Sequence, residues 1–215
     1  MLKKPKAIIL FSGGLDSATT LYYVLSKGYD CHALIFDYGQ RHNKEIRSAV
    51  AMAKSVKVPY QIIKIKLPWK GSVLLDKKIK VPKYKKSRKG IPPTYVPARN
   101  TIFLSFATSY AEAVGAQTIL YGANAIDYSG YPDCRPAFVK AFQNVIKAGT
   151  KNNKIKVRAP LIKLTKAQII KLAMELKVPL DKTWSCYEGG KKPCGVCDSC
   201  RLREKGYSAL NLSDL

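Results

Sequence analysis

With 215 residues, 47% of them hydrophobic, the chain is large enough to bury a core, which excludes a disordered protein and a disulfide-held miniprotein. It carries 38 Lys and Arg against 14 Asp and Glu, and the net charge of +24 is consistent with a polyanionic partner or with solubility alone. No apolar run approaches the roughly 18 residues of a membrane span, so the sequence predicts a cytoplasmic protein without membrane contact.

Four short apolar runs without alternation predict strands that are buried on both faces of a parallel sheet. They span residues 7–11, 33–36, 62–65 and 118–121. Helical patterns at residues 17–26, 44–56 and 99–114 alternate with these runs. This order predicts right-handed βαβ units, and hence an α/β fold with a doubly wound, mostly parallel sheet.

Two further helices are predicted at residues 135–148 and 166–177, the second of which opens with the capping-box pair Thr165 and Gln168. We therefore expect an α/β domain at residues 1–160 and a small helical appendage at residues 161–215. Residues 66–96, which we name the strap, form a long connection with eight basic residues and no acidic residue in 77–89. A loop of this length is typically mobile, a lid, or both.

The sequence SGGLDS at residues 12–17 follows the first predicted strand and opens a helix. Glycines in such a turn let backbone N–H groups converge on phosphate oxygens, and the helix N-terminus adds positive potential. The Walker pattern is absent and the loop contains no Lys, which favours a cradle for a leaving pyrophosphate. The alternative is an ordinary glycine-rich turn capped by Ser or Asp.

Three polar clusters stand out, at residues 37–42 after the second predicted strand, at residues 96–100 at the end of the strap, and at residues 122–135 after the fourth predicted strand. Each alone could be turn chemistry, but the carboxyl ends of parallel strands share one edge, where ligands bind in open α/β sheets. The candidates are Arg41, Arg99 and Arg135 for phosphate or carboxylate, Tyr128 or Tyr131 for stacking on a flat heterocycle, and Asp127 or Asp133 for ring N–H groups. His42 is more plausible as a structural or phosphate-adjacent residue than as a base.

Four cysteines fall within fifteen residues, at Cys186, Cys194, Cys197 and Cys200. Four thiolates satisfy a tetrahedral Zn²⁺, and the short C-x2-C steps allow the turns that bring them together. An iron–sulfur cluster also takes four cysteines, so the metal is open on spacing alone. We favour a closed structural zinc site that leaves no position for catalysis.

The segments SGGLDS, YGQRH, VPARN, DYSGYPDCR, TWSCY and CGVCDSC occur in this order over nearly the whole chain. In this they resemble the 7-cyano-7-deazaguanine synthase family, a branch of the ATP-pyrophosphatase (PP-loop) enzymes with an adenine nucleotide α-hydrolase-like fold. The resemblance implies an ATP-dependent carbon–nitrogen ligase. Its expected reaction converts 7-carboxy-7-deazaguanine and ammonia to 7-cyano-7-deazaguanine, a precursor of queuosine or archaeosine. It also implies a homodimer and zinc at the four cysteines.

Site residues follow from the resemblance and from position. The resemblance implies ATP binding by Phe11, Ser12, Gly13, Gly14, Leu15, Asp16, Ser17, Ala18, Thr19, Thr20 and Leu21. Candidate catalytic residues are Ser12, Asp16, Ser17 and Arg99, with Asp16 as the proposed holder of Mg²⁺. Candidate contacts for the deazaguanine and its carboxylate are Arg99, Asn124, Asp127, Tyr131, Asp133 and Arg135.

A carboxylate has a poor leaving group, so ATP must first activate one oxygen, and adenylation at the loop is the expected step. Ammonia would then form the amide, and a second activation would yield the nitrile, with the strap as a candidate lid. Two alternatives are a related ATP-pyrophosphatase that modifies tRNA directly by sulfur insertion or lysine ligation, and a zinc-containing RNA-binding module. Contact with tRNA is possible but not required, and Cys134 is the candidate sulfur carrier.

Overall fold

Five strands form a single parallel sheet in the structure, a computed structural model that describes residues 4–86, 90–124 and 130–214. They are β1 (Lys6–Leu10), β2 (Asp30–Asp37), β3 (Tyr60–Lys64), β4 (Thr118–Leu120) and β5 (Lys156–Arg158). The order is β3-β2-β1-β4-β5, and every neighbouring pair is parallel. Because the order proceeds outward from β1 in both directions, the prediction of a doubly wound sheet is confirmed.

Six α-helices lie within the described residues. They are α1 (Leu15–Ser26), α2 (Lys44–Ser55), α3 (Arg99–Val114), α4 (Pro136–Gly149), α5 (Lys166–Glu175) and α6 (Asp198–Ser208). Short 3-10 turns occupy Pro132–Cys134 and Leu180–Lys182. None of the helices in the described ranges has the length and apolar character needed to cross a membrane.

The sheet separates two hydrophobic cores, and β1 contributes to both. Ala7 and Ile9 pack on the side of α1, α2, α5 and α6, whereas Ile8 and Leu10 pack on the side of α3 and α4. Successive side chains of a strand point to opposite faces, so a strand covered on both faces must be apolar at every position. This is why β1 occurs in the sequence as an unbroken apolar run.

The C-terminal segment packs into the first of these cores. Leu161, Ile169 and Ile170 are fully buried there together with Leu21 of α1. The division of the chain at residue 160 stays a prediction, but the side chains beyond that point help to cover the sheet.

Arg41 and Cys197 are among the residues that anchor the described part of the strap to the rest of the chain. Arg41 Nη1 donates to three of its carbonyl oxygens, those of Val73 at 2.9 Å, Asp76 at 3.0 Å and Ile79 at 2.7 Å. Further along, Lys83 forms an antiparallel bridge with Cys197. Arg41, a candidate for phosphate, thus directs this guanidinium nitrogen to the strap.

Candidate active site

A cavity of about 240 Å³ lies at the carboxyl ends of β1, β2 and β4. Its walls come from the loop after β1, the residues after β2, the start of α3, the residues after β4, and the C-terminal segment. This is the crevice in which open α/β sheets bind ligands. The polar clusters predicted to share one edge therefore contribute side chains to one cavity.

The glycine-rich loop, residues 12–17, is in close contact with its neighbours. A Cβ on Gly13, whose φ is +79°, would lie 2.4 Å from the backbone N of Ala49 in α2. A Cβ on Gly122, after β4, would lie 3.0 Å from the backbone N of Ser17. Gly14 caps α1 without a side-chain hydrogen bond, so no side chain accepts there from the first N–H groups of the helix. Such a helix start is a ready site for an anion.

Two hydroxyl groups stand together in this loop. Ser12 Oγ and Ser17 Oγ are 3.0 Å apart, Ser17 Oγ donates to Gly14 O at 3.1 Å, and Gly14 N donates to Ser12 Oγ at 3.3 Å. Both serines line the cavity. The loop thus holds its hydroxyls in place before any ligand arrives.

The predicted ATP-binding stretch 11–21 divides into two parts. Its cavity-lining members are Phe11, Ser12, Gly14, Leu15, Asp16 and Ser17. Ala18, Thr19, Thr20 and Leu21 are fully buried in α1 and do not line the cavity. Thr19 and Thr20 donate their hydroxyls to the carbonyls of Leu15 and Asp16, so they support the helix that carries the loop.

The carboxylate of Asp16 contacts two side chains within the described residues. Lys166 Nζ lies 2.7 Å from Asp16 Oδ1 and 2.8 Å from Oδ2, and Asn124 Nδ2 donates to Oδ2 at 3.2 Å. Asn124, which was predicted to contact substrate, is fully buried beside Asp16 in the absence of a ligand, and its contact with substrate stays a prediction. Lys166 was missed, because the sequence marks it only as the residue after a helix cap.

Arg99, at the start of α3, places a half-buried cation beside the cavity. Its Nε is buried and has no hydrogen-bond partner within the described residues. Burial opposes the charge, but Tyr38, Cys134 and Asp133 on balance raise the pKa of Arg99, so the guanidinium stays protonated. A buried N–H without a protein acceptor suits an anionic ligand.

The remaining predicted substrate residues differ in their surroundings. Tyr131 lines the cavity and its hydroxyl lies 2.7 Å from Thr94 Oγ1. Asp133 also lines it, but one carboxylate oxygen accepts from Asn100 N at 2.9 Å and so caps α3. Arg135 is exposed and is not part of the cavity wall. Asp127 lies outside the described residues.

Glu45, in the first turn of α2, is a cavity residue that the sequence did not single out. Burial raises the pKa of its carboxyl to about 7, while Arg99 lowers this value and Cys186 raises it. The cavity therefore contains a carboxyl group whose ionisation changes near neutral pH. Glu45 follows the YGQRH segment by three positions, and that proximity was the only signal.

The four clustered cysteines fit a tetrahedral metal ion. Their sulfur atoms all lie within 4.8 Å of one another, close to the separation of about 3.8 Å that Zn–S bonds of about 2.3 Å require. Cys194 N donates to Cys186 Sγ at 3.3 Å and Cys197 N to Cys194 Sγ at 3.4 Å, which stabilises thiolates. Hydrogen bonds within the cluster lower the pKa of Cys186 and raise the pKa values of Cys197 and Cys200, so the thiols share protons and the fit to a metal ion rests on the positions of the four sulfur atoms. All four positions are thus suited to bind zinc.

The cysteine cluster is joined to the glycine-rich loop. Trp184 N donates to Gly13 O at 3.0 Å, and its ring Nε1 donates to Cys186 O at 2.9 Å. His42 Nε2 also donates to Cys186 O at 2.9 Å, which supports the structural role expected for this histidine. The cysteine cluster and the glycine-rich loop, which are distant in the sequence, are therefore linked through the backbone and the ring of one residue, Trp184.

Comparison with known proteins places this chain among close relatives. The family model described as queuosine biosynthesis protein QueC matches residues 6–211. A 7-cyano-7-deazaguanine synthase from Nostoc punctiforme is 51% identical over 97% of both chains, and one from Acetivibrio thermocellus is 53% identical over 97% of this chain and 96% of the relative. The solved NMN synthetase from Francisella tularensis shares the fold, with a TM-score of 0.55 at 14% identity over 99% of this chain and 79% of the other.

Proposed function

This chain belongs to the queuosine biosynthesis protein QueC family, and we propose that its cavity converts 7-carboxy-7-deazaguanine and ammonia to 7-cyano-7-deazaguanine at the expense of ATP. One observation carries the proposal for the site. A single cavity combines the glycine-rich loop, which suits phosphate, with the buried Nε of Arg99, which has no hydrogen-bond partner among residues 4–86, 90–124 and 130–214 and suits a carboxylate. An ATP-dependent ligase that activates a carboxylate needs both.

The loop is proposed to bind the phosphates. The N–H groups at the start of α1 and the hydroxyls of Ser12 and Ser17 would contact the phosphate oxygens and stabilise the leaving pyrophosphate. Asp16 is the carboxylate proposed to hold Mg²⁺, which when bound would neutralise phosphate charge. These groups are held by hydrogen bonds before the ligand arrives, so little reorganisation is needed when the phosphate leaves.

The opposite wall of the cavity is proposed to bind the deazaguanine. Arg99 would orient the carboxylate, and Tyr131 would stack on the flat ring or donate its hydroxyl to it. The part of the strap that includes Thr94 and Tyr95 would cover the substrate and exclude water, which would otherwise hydrolyse the activated carboxylate. Asp127 and Arg135 stay predictions as substrate contacts.

The zinc site is proposed to be structural. Four cysteine ligands fill a tetrahedral ion and leave no open position for substrate. Its link to Gly13 through Trp184 would make the geometry of the nucleotide loop depend on the metal.

The test is a product assay with purified, zinc-loaded protein, ATP, Mg²⁺, ammonium and 7-carboxy-7-deazaguanine, followed by mass spectrometry. We expect the nitrile together with AMP and pyrophosphate. Asp16→Asn should abolish turnover, and Lys171→Met, an exposed change on α5, should leave it unchanged. Absence of the nitrile would overturn the proposed function, whereas ADP and inorganic phosphate in place of AMP would overturn only the adenylation step.

A related enzyme that modifies tRNA directly is the second candidate, favoured only by the net charge of +24. A sulfur inserter would need a reactive thiol, and Cys134 lines the cavity, where Asn100 Nδ2 lies 3.2 Å from its sulfur. Cys134→Ser separates the two, because a sulfur carrier would lose all activity and the nitrile route would retain it.

Assembly and location belong to the same proposal. We propose a homodimer in the cytoplasm, where reducing conditions keep four metal-binding cysteines as thiols. Light scattering on the zinc-loaded protein tests the dimer, with a mass near that of one chain as the contrary result.

A further inference from the structure

A lysine reaches the glycine-rich loop from a distant part of the chain. Lys166 is 150 positions beyond Asp16, yet its Nζ contacts both carboxylate oxygens at 2.7 and 2.8 Å. The Lys166 side chain is 13% exposed and that of Asp16 is 25% exposed, so both charges are held partly out of water. The loop itself has no lysine, and the structure supplies one from α5.

The position of Lys166 is unfavourable unless an anion lies opposite. It is the first residue of α5, and a cation at a helix N-terminus meets the positive end of the helix dipole. The start of α5 is nevertheless held there by the capping box, in which Gln168 N donates to Thr165 Oγ1 at 3.3 Å and Thr165 N donates to Gln168 Oε1 at 2.8 Å. The cost of placing a cation at the start of α5 is therefore offset by the Asp16 carboxylate, which the ammonium of Lys166 contacts.

The stem of Lys166 is confined as well. A Cβ on Gly206 of α6 would lie 2.8 Å from Lys166 Cγ, so only a glycine allows α6 to pack this closely on the lysine. An exposed lysine would sample many rotamers, whereas this one has its aliphatic part packed and its ammonium on Asp16. Lys166 of α5 is thus held between Asp16 of α1 and Gly206 of α6.

We infer that Lys166 is a positioning residue that acts through Asp16, as the resident counter-ion that neutralises and orients this carboxylate until a divalent cation replaces it. The inference rests on the proposed ATP site. An uncompensated Asp16 in the first turn of α1 would repel the phosphates that the loop is proposed to bind. A divalent cation would compete with the ammonium for the same two oxygens, and its arrival would leave the ammonium without its partner.

The test uses Lys166→Met, which keeps an unbranched side chain one atom shorter and removes its charge. Equilibrium binding of Mn²⁺ to the zinc-loaded protein, followed by electron paramagnetic resonance without nucleotide, should become at least about tenfold tighter, because no ammonium competes for Asp16. Binding of ATP with no added divalent cation should become about tenfold weaker, because Asp16 then repels phosphate. A merely structural salt bridge would weaken both or change neither.

Three further variants complete the design. Lys166→Arg should keep both affinities near the wild-type values, and Lys171→Met, an exposed position on the same helix, should change neither. In an Asp16→Asn background, Lys166→Met should no longer tighten Mn²⁺ binding. Unchanged or parallel affinities in Lys166→Met would overturn the inference, even if the wild-type protein makes the nitrile. Opposite changes would support it even if the product assay failed.

Discussion

The charged side chains Asp16 and Arg99 at the cavity are partly shielded from water. The hydrogen-bond partners of each determine how strongly it should bind a ligand. Asp16 is satisfied by Lys166 and Asn124, whereas Arg99 keeps a buried Nε without a partner in the described residues. Asp16 is therefore stable without ligand, whereas the Nε–H of Arg99, whose guanidinium charge is already stabilised by Tyr38 and Asp133, gains a hydrogen bond only when an anion binds. Arg99 is therefore the residue at which substrate affinity should be most sensitive.

Arg99→Gln should raise the KM for 7-carboxy-7-deazaguanine by at least about 30-fold, or about 2 kcal/mol, because a buried charge-assisted contact is lost. The matched control is Arg47→Gln, at an exposed arginine of α2 outside the cavity wall, which should stay within about twofold of wild type. Steady-state kinetics at saturating ATP and ammonium measures both. Equal effects of the two changes would contradict the role of Arg99.

Glu45 should make stability depend on pH between about 4.5 and 7. Burial raises its pKa in the folded state, so over this range the folded protein keeps a proton that the unfolded chain releases, and the free energy of unfolding falls as pH rises. Below this range the carboxyl is protonated in both the folded and the unfolded state. Above it the carboxyl is ionised in both states, and the free energy of unfolding falls no further.

Urea unfolding of Glu45→Gln and wild type between pH 4 and 8 tests this dependence. The glutamine variant should gain stability relative to wild type as pH rises toward 7, whereas Glu175→Gln, at an exposed position, should follow the wild-type curve. A constant difference between Glu45→Gln and wild type would argue against the raised pKa.

At the scale of elements, β1, the glycine-rich loop and α1 form the unit that carries the proposed phosphate site. The loop can turn between strand and helix only because Gly13 adopts a left-handed φ of +79° while in contact with α2. Two constraints coincide at this residue, one conformational and one steric. Gly28 has a similar φ of +78°, but a Cβ added there would meet no other atom within 4 Å. A substitution at Gly28 therefore measures the conformational constraint alone.

Gly28→Ala should cost about 1 kcal/mol of unfolding free energy through backbone strain alone. Gly13→Ala should cost at least about 2 kcal/mol more, since its Cβ would overlap the backbone of Ala49 and α2 would have to shift. Denaturant unfolding of both variants gives the comparison. Similar losses would mean that the loop can move away from α2.

The unit around β1 was predictable because its signals are local. An apolar run, two glycines and a helix start lie within a few positions, and α3 (Arg99–Val114) was predicted with its observed bounds. β5 was missed because it has three residues with only Val157 buried, and α6 because its few apolar side chains give little periodicity. Lys166 was missed for another reason, since its partner is 150 positions away and only the fold brings them together.

At the scale of the whole molecule, the cysteine cluster anchors the strap as well as the glycine-rich loop. Lys83 bridges to Cys197, Tyr84 N donates to Val196 O at 2.8 Å, and Lys205 Nζ donates to Tyr84 OH at 2.7 Å. Much of the net charge of +24 lies in this strap. That part of the charge is concentrated in one segment and is not spread over a surface that would bind a polyanion. The metal should therefore control access to the cavity from a distance.

Removal of zinc by a chelator, or the change Cys197→Ser, should expose the strap lysines to trypsin. We expect cleavage in residues 77–86 to become several-fold faster, because the bridge to residues 196–197 is lost while the sheet core stays folded. Cys31→Ala, a change at a buried cysteine outside the cluster, should leave the cleavage rate near wild type. Uniform cleavage along the chain would indicate global unfolding instead.

The net charge of +24 also leads us to expect non-specific binding to RNA. Non-specific affinity for a tRNA should fall steeply between low and physiological salt, because it depends on counterion release. Nitrile formation, which uses small anions, should depend on salt much less. A parallel loss of activity and RNA binding in the same salt series would make RNA part of the reaction.

The two tryptophans of the chain occupy positions that make the protein optically informative. Trp184 bridges the glycine-rich loop and the cysteine cluster, with Lys44 Nζ 4.2 Å from its ring centroid, whereas Trp69 lies on the strap and is 43% exposed. Fluorescence of a Trp69→Phe protein would then come from the junction of loop and metal alone. Subtracting this Trp184 signal from the emission of the wild-type protein would leave the signal of Trp69 on the strap. Movement of the strap and movement of the loop could then be followed separately without any added dye.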